Sequence, residues 1–199
     1  MIRYGCAIVA LAFATTACGS VTTPPANTGE PVNTAMPIEN ESEALPLDNG
    51  SEVAETATAA LKKADGTAAG NAIASVTPEG LSVSVSVTGI SPGQHGVHVH
   101  MTGKCEGPAF ASAGGHWNPG NTKHGLEAPD GAHAGDMPNL TVADDGTGTL
   151  TFVLKSGTLA QLLDADGSAF VVHAGPDDQK TDPSGNSGDR VACGVFAAS

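Results

Sequence analysis

The clearest pattern in the chain is a strict alternation of apolar and polar residues between Ser82 and Val87. Serine and valine alternate there without a break. Because successive side chains of a strand point to opposite faces, this pattern predicts a strand with one buried face. Residues 70–77 form another short run just before it, and the intervening Pro78-Glu79-Gly80 is typical of a tight turn. The two runs together predict a β-hairpin.

Similar short runs recur along the chain and predict eight strands, at residues 56–62, 70–77, 81–88, 96–100, 140–142, 148–154, 169–173 and 191–196. Asp144-Asp145-Gly146 favours a hairpin turn rather than a calcium site, and residues 158–164 fit one helical turn or a loop. Short strands separated by turn residues are typical of an antiparallel sandwich or barrel. The stretches 101–139 and 174–190 lack periodicity, and loops of that length in a compact domain usually carry function.

Composition supports this fold class and excludes one class of partner. The chain has 199 residues with 26 Gly and 13 Pro, which fits a turn-rich β protein. Its formal net charge is −13, with eight Lys and Arg in total. A surface that binds nucleic acid needs clustered Lys and Arg, so nucleic acid is not expected as a partner.

The N-terminal residues predict export from the cytoplasm to the periplasm. A short positive start, Met1-Ile2-Arg3, precedes an apolar run at 5–14. That run is too short to span a bilayer comfortably and fits the core of a signal peptide over residues 1–18. The small residues before Cys18 resemble a bacterial lipoprotein cleavage site, with Cys18 lipidated and attached to the membrane. Thr15 stands where such sites usually have Leu, which leaves ordinary cleavage nearby as the alternative.

Residues 19–55 are rich in Pro, Thr, Asn and Glu and show no sustained apolar period. We interpret them as a disordered acidic tether ahead of a domain at 56–199, with a cleaved pro-segment as the alternative. Of the four cysteines, Cys105 and Cys193 lie in that domain. Two cysteines in an exported protein most simply form one disulfide, since two free thiols fit an oxidising compartment poorly.

All seven histidines lie between residues 95 and 173, within or beside the long loops. His98 and His100 are two residues apart on a predicted strand, so both rings are expected on the same face. Two neutral imidazoles on one face suit copper or zinc. Taken alone, however, such a pair is weak support for a metal site against a solvated strand face.

The loop after this strand adds His116, His124, His133 and Asp136. Their spacing is too wide for ligand pairs on a helix and fits a loop wrapped around an ion. A glycine between the last two allows the sharp turn that lets them converge. Three imidazoles and one carboxylate complete a tetrahedral zinc shell. His173 ends a later strand and, taken alone, favours a hydrogen-bonded strand-end histidine.

Taken together, these segments resemble the copper,zinc superoxide dismutase family, in particular its exported bacterial members, some of them lipoproteins. The resemblance covers roughly residues 56–199 and keeps the family's order. Its motifs are Gly96-Val97-His98-Val99-His100, Gly114-Gly115-His116-Trp117-Asn118-Pro119, Lys123-His124-Gly125, His133-Ala134-Gly135-Asp136-Met137-Pro138-Asn139, Val171-Val172-His173 and Gly185-Asn186-Ser187-Gly188-Asp189-Arg190-Val191-Ala192-Cys193-Gly194-Val195.

The resemblance implies an all-β fold, an eight-stranded antiparallel Greek-key β-barrel with two long functional loops, and one copper and one zinc ion per subunit. The implied copper ligands are His98, His100, His116 and His173. The implied zinc ligands are His116, His124, His133 and Asp136. His116 would therefore bridge the two ions.

Further roles follow from the resemblance. Cys105 and Cys193 match the family's intrasubunit disulfide, and Arg190 matches the arginine beside the copper. Asp177 matches the carboxylate that joins a copper-ligand histidine to a zinc-ligand histidine, which we expect to be His100 and His124. The alternatives are that Arg190 forms a structural ion pair and that Asp177 is a plain loop acid. His95 lies too early to match a ligand, and we interpret it as a surface or loop histidine.

The implied reaction is the dismutation of superoxide to O₂ and H₂O₂ as copper alternates between Cu(II) and Cu(I). His116 would take up a proton and deliver it to the departing peroxide, and Arg190 would guide the anionic substrate. Because the domain is acidic, any attraction must be local, from Arg190, the metals and Lys180. Family members occur as monomers and as homodimers, so both states are open.

The alternative function is a non-enzymatic periplasmic module that binds or buffers copper and zinc. Such a relative would be expected to lack a copper ligand or Arg190, and the sequence keeps both. A purely structural sandwich would have no use for six converging histidines.

Overall fold

The computed structural model of the chain describes residues 55–199. The expected signal peptide at 1–18, its Cys18 and the expected tether up to residue 54 lie outside the described residues. No helix within residues 55–199 is long and apolar enough to cross a membrane.

The described residues form an almost entirely β domain, which confirms the predicted fold class. The strands are β1 Thr56–Lys62, β2 Ala68–Thr77, β3 Gly80–Val87, β4 Gly93–His95, β5 Val97–His100, β6 Leu140–Val142, β7 Gly148–Leu154, β8 Ala169–His173 and β9 Arg190–Ala198. A helical turn, α1, spans Leu159–Leu162, and a 3₁₀ turn spans Ala111–Ala113. Each of the eight predicted strands is present, whereas β4 was not predicted.

All strand pairs are antiparallel, and they form two connected sheets. Seven strands lie in the order β5-β8-β9-β1-β2-β3-β7, and β4 pairs with β6. Since only Gly96 separates β4 from β5, one extended segment serves both sheets. The β6–β7 hairpin, turned at Asp144-Asp145-Gly146 as predicted, links the small sheet back to the other edge of the large one. The sheet therefore curls around one main core, and a smaller apolar cluster packs under the first long loop against β8 and β9.

The core follows the alternation that the sequence shows. In β3, Leu81, Val83, Val85 and Val87 are buried, and the serines between them lie on the other face. Phe170 of β8 is fully buried in the same core. The short helix α1 closes one end, capped by Thr158 and Gln161 in a reciprocal capping box. His98 and His100 of β5 alternate with the core residues Val97 and Val99 and therefore lie on the opposite face of the strand.

Gly96 sets how the histidine strand meets the second long loop. Its N–H donates to the Gly175 carbonyl at 2.8 Å, and its carbonyl accepts from the His173 N–H at 2.9 Å. A Cβ at this position would lie 2.8 Å from the Ser187 Cβ. Only a residue without a side chain allows this approach, and the approach places His98 beside the 174–190 loop.

The two long loops are attached to the barrel and to each other. A disulfide joins Cys105 to Cys193 in β9, as predicted, with 5.7 Å between their Cα atoms. The Asn139 side chain donates to the Asp177 carbonyl at 2.8 Å and accepts from the Asp177 N–H at 2.7 Å. The histidines of β5 and β8 alternate with the core residues Val97, Val99, Phe170 and Val172, so the loops meet over the outer face of these two strands.

Candidate metal centre

One group of four imidazoles is assembled from three parts of the chain. β5 supplies His98 and His100, the first long loop supplies His116, and the end of β8 supplies His173. All four are buried, and one nitrogen from each lies within 4.8 Å of the others. The register of β5 against β8 brings strand residues that are distant in sequence side by side.

Each of the three strand histidines has one ring nitrogen fixed and the other left free. His100 Nδ1–H donates to the Gly114 carbonyl at 3.0 Å, and His173 Nδ1–H donates to the Gly188 carbonyl at 3.1 Å. His98 Nε2–H donates to Asp177 Oδ2 at 2.6 Å. Such partners fix both tautomer and ring orientation. The second nitrogens of His100 and His173 then face each other, with 3.4 Å between the two Nε2 atoms.

Two nitrogens of this group have no hydrogen-bond partner although they are buried, namely His98 Nδ1 and His116 Nε2. A buried polar atom without a partner costs free energy comparable to its lost hydration. A metal ion that accepts their lone pairs removes this cost. The donor set consists of imidazoles only, which suit copper as well as zinc, iron and nickel, so these residues fit the copper ion expected here from the sequence.

A second group converges on the carboxylate of Asp136. Its Oδ1 lies 2.9 Å from His116 Nδ1, 3.0 Å from His124 Nδ1 and 3.3 Å from His133 Nδ1. The Nδ1 atoms of His116 and His133 are 3.4 Å apart. Ligands at about 2.0–2.1 Å from a tetrahedral zinc ion lie about 3.3 Å from one another. These four separations are close to those of a tetrahedral zinc shell, so the donors fit a zinc ion.

The other oxygen of Asp136 is held by the backbone. The N–H groups of Gly125 and His133 donate to Asp136 Oδ2 at 2.8 and 3.0 Å. A Cβ at Gly125 would overlap the Gln179 carbonyl, so the close approach of the Gly125 backbone to Gln179 depends on glycine. The carboxylate is thus fixed with Oδ1 directed at the three imidazoles.

His116 belongs to both groups. Its Nδ1 faces Asp136 in the second group, and its Nε2 faces the strand histidines in the first. Its ring stacks on that of His98, with 3.9 Å between centroids. One imidazole is therefore placed to contact two ions.

Asp177 connects the two groups from the second long loop, but through a different histidine from the one expected. Its carboxylate accepts from His98 Nε2 at 2.6 Å and from His124 Nε2 at 3.1 Å. The expectation of His100 was wrong, because the Nδ1 of His100 is already bonded to the Gly114 carbonyl. Asp177 is buried and bonded at both oxygens, so the alternative of a plain loop acid was also wrong.

Burial and charge set the protonation of these groups. Burial is the main cause that lowers the pKa of His98 to about 3 and that of His173 to about 4, and it holds the pKa of His100 well below its usual range. Neutral imidazoles can bind a metal directly. For His124, burial opposes protonation, but hydrogen bonds to Asp136 and Asp177 raise its pKa to about 9. A metal ion at His124 competes with this proton for Nδ1.

His95 is a correction to the sequence interpretation, since it is buried rather than on the surface. Its Nδ1 lies 2.7 Å from the His173 carbonyl, and its Nε2 lies 2.8 Å from the Ser91 carbonyl. The ring therefore ties the approach to β4 to the strand end that carries His173. No local sequence pattern indicates this burial, because both partners are backbone atoms.

Arg190 lies at the start of β9, and its guanidinium is held by backbone carbonyls. Nη1 donates to the Phe110 carbonyl and Nη2 to the Gly114 carbonyl, both at 2.6 Å. Within residues 55–199 it forms no ion pair with an acid, so the expected alternative of a structural ion pair was wrong. It lines a cavity of about 630 Å³ together with His100, His116 and His173.

The Gly114 carbonyl accepts from both His100 and Arg190. This backbone oxygen couples a predicted copper ligand to the charged group of the cavity. Its loop is tied to β9 by the disulfide of Cys105. No side-chain motif identifies such an atom, and the sequence interpretation missed it.

The family model for copper/zinc superoxide dismutase matches residues 61–196. Among curated proteins, a superoxide dismutase [Cu-Zn] from Caulobacter vibrioides is 44% identical over 148 residues, which cover 71% of this chain and 85% of that protein.

Solved structures give the same result. A Cu/Zn superoxide dismutase from Brucella abortus is 34% identical with a TM-score of 0.61, covering 72% of this chain and 100% of that one. A SOD-like protein from Bacillus subtilis is 39% identical with a TM-score of 0.67, covering 70% of this chain and 97% of that one.

The position of Asp177 predicts the effect of adding one methyl group at Gly185. A Cβ there would overlap Asp177 Oδ1 and lie 2.6 Å from His124 Nε2. We expect Gly185→Ala to displace the carboxylate and to weaken zinc binding by about 10- to 100-fold, the usual effect of losing such a partner. Competition with a zinc chelator measures this.

Gly188→Ala is the matched control, because both glycines lie in the same loop at positive φ, 63° and 78°. A Cβ at Gly188 has no atom closer than 4.0 Å. Equal zinc affinities for the two variants would show that Asp177 does not depend on the space at Gly185.

Proposed function

Because the chain belongs to the copper/zinc superoxide dismutase family, we propose that its two donor groups hold the family's two ions and act together in superoxide dismutation. In this proposal copper is held by His98, His100, His116 and His173. Zinc is held by His116, His124, His133 and Asp136. The observation that carries the proposal is that the two nitrogens of His116 face two different donor groups.

The overall reaction takes two superoxide anions and two protons to O₂ and H₂O₂. When bound, copper supplies the one-electron exchange between Cu(II) and Cu(I), and zinc, which has no redox chemistry, supplies fixed positive charge. The protein must bind an anion and deliver protons. Both tasks fall to residues that line one cavity.

His116 is suited to deliver a proton. Its Nδ1 is fixed in the zinc group, so the ring keeps its place while Nε2, at the cavity side, binds or releases a proton. Burial lowers the pKa of His116 from its ordinary value. A proton held at Nε2 is therefore readily given to the reduced oxygen species.

Arg190 is suited to bind the anion. Its guanidinium remains charged at any physiological pH, and the Phe110 and Gly114 carbonyls fix its position on the cavity wall. A preorganised cation needs no rearrangement when the anion arrives. A metal buffer without enzymatic activity would gain nothing from a cation fixed beside its metal, which favours the enzyme over the alternative.

The N-terminal residues support a further part of the proposal, the cellular location of the protein. The signal peptide within residues 1–18 is cleaved before Cys18, Cys18 becomes the lipidated N-terminus, and residues 19–55 tether the 56–199 domain to a membrane facing the periplasm. The apolar run, the small residues before Cys18 and the acidic composition of the tether support this.

The decisive experiment is the decay of superoxide with purified protein of measured copper and zinc content. We expect rapid decay with the loaded protein. In His173→Ala, copper content should fall while zinc is retained, and the decay should return toward the uncatalysed rate. If fully loaded wild-type protein leaves superoxide at its background rate, the enzyme proposal fails and the metal-buffer function is favoured.

Arg190 can be tested separately from metal binding. We expect Arg190→Ala to lower the second-order rate constant for superoxide by about tenfold with unchanged copper content, since a fixed charge next to the reacting centre is lost. Arg190→Lys should keep part of the rate. Lys155→Ala is the control, because it removes the same charge from an exposed site outside this cavity. Equal rates for Arg190→Ala and Lys155→Ala would contradict the assigned role.

Membrane attachment is tested by cell fractionation and by mass spectrometry of the mature N-terminus. We expect an acylated Cys18 in the membrane fraction, and Cys18→Ala should move the protein to the soluble exported fraction. Cys6→Ala, which lies within the proposed signal peptide, should leave the membrane fraction unchanged. An unmodified N-terminus at a neighbouring residue would show ordinary cleavage instead.

A further inference from the structure

The cavity that leads to the proposed copper ligands carries more negative than positive charge on its walls. Among the described residues, Arg190 is the only Lys or Arg side chain that lines it. Two aspartates, Asp164 and Asp166, line it as well, and both are exposed. An anion that approaches Arg190 through this cavity therefore also approaches two carboxylates.

The two carboxylates lie on a short turn, residues 164–167, between α1 and β8, which we call the acidic turn. Asp164 Oδ1 accepts from the N–H groups of Asp166 and Gly167, each at 3.0 Å. The Gly103 N–H donates to the Asp166 carbonyl at 2.8 Å, which ties the acidic turn to the first long loop. These bonds fix the turn at the cavity wall.

Nearby cations do not compensate for the acidic turn. The sequence suggested Lys180 as a charge that attracts superoxide, but its Nζ lies 2.8 Å from Glu127 Oε2. The Nζ of Lys123 lies 3.6 Å from Asp130 Oδ2. Neither lysine lines the cavity. Within residues 55–199, Asp164 and Asp166 form no ion pair that would neutralise them.

We propose that Asp164 and Asp166 limit the rate at which superoxide reaches the metal, because their negative charges oppose the attraction of the anion to Arg190. The proposal rests on the function proposed above. A cavity of about 630 Å³ is on the order of 10 Å across, comparable to the Debye length of about 10 Å at 0.1 M salt. Within that distance the repulsion is felt at low salt and is screened at high salt.

The test is the double variant Asp164→Asn/Asp166→Asn, measured by superoxide decay over a range of ionic strengths. Asparagine keeps the Oδ1 acceptor of the turn and removes the charge. We expect the second-order rate constant to exceed that of the wild type by about threefold at 0.01 M ionic strength and to approach it at about 0.5 M. Copper and zinc contents and the thermal unfolding midpoint should match the wild type.

Asp144→Asn is the matched control, since Asp144 is exposed in the β6–β7 turn and does not line this cavity. Adding Asp65→Asn gives a control that removes two negative charges, as the double variant does. Asp65 is exposed and lies in the β1–β2 turn. We expect this control to show less than half of the increase in rate.

Each outcome has a defined meaning. An active wild type with an unchanged or slower double variant, at normal metal content, overturns the inference while leaving the proposed function intact. An equal increase in the control variant also overturns it, because net charge rather than the acidic turn would then be responsible. A wild type without activity would instead refute the proposed function.

Discussion

The carboxylate of Asp177 accepts hydrogen bonds from one histidine of each donor group, and the relative geometry of the two groups depends on this link. Its two oxygens hold the Nε2 atoms of His98 and His124, so that each ring turns its Nδ1 toward its own group. A free histidine ring can flip and can change its tautomer. With Nε2 occupied, only one nitrogen of each ring remains available, and the donor atoms are set before any ion binds.

Asp177 can orient both histidines because the two long loops pack against each other around its carboxylate. Asn139 bonds both backbone groups of Asp177 from the first loop, and Gly185 leaves room for the carboxylate in the second. Gly96 brings the histidine strand against the same loop. The conformational entropy of ordering long loops is large, so several independent attachments are needed, including the disulfide to β9.

The sequence was sufficient for features that repeat or that carry distinctive side chains. Short apolar or alternating runs predicted the eight main strands, and the spacing of the loop histidines favoured one metal site, whereas both complete donor groups were implied only by the resemblance to a known family. The sequence failed where backbone atoms decide the outcome. Strand β4 has only three residues and no alternation, and its pairing with β6 is what makes it a strand. The burial of His95 and the choice of His98 over His100 both depend on backbone carbonyls, which carry no sequence signal. The position of the acidic turn near Arg190 was not predicted, because only tertiary packing brings these residues to the same cavity.

The charges of the centre explain why metal ions belong to its stability as well as to its chemistry. Burial alone would raise the pKa values of Asp136 and Asp177, yet hydrogen bonds from the surrounding histidines hold both well below the usual range, so both stay ionised. Two buried carboxylates among largely neutral imidazoles are costly unless positive charge is supplied. Divalent ions supply it directly, whereas protonation of His124 supplies only part. Since Asp136 lies in the first long loop and Asp177 in the second, the negative charge that the ions offset lies on the two loops, and these loops also line the cavity and, at Phe110 and Gly114, hold Arg190 in place.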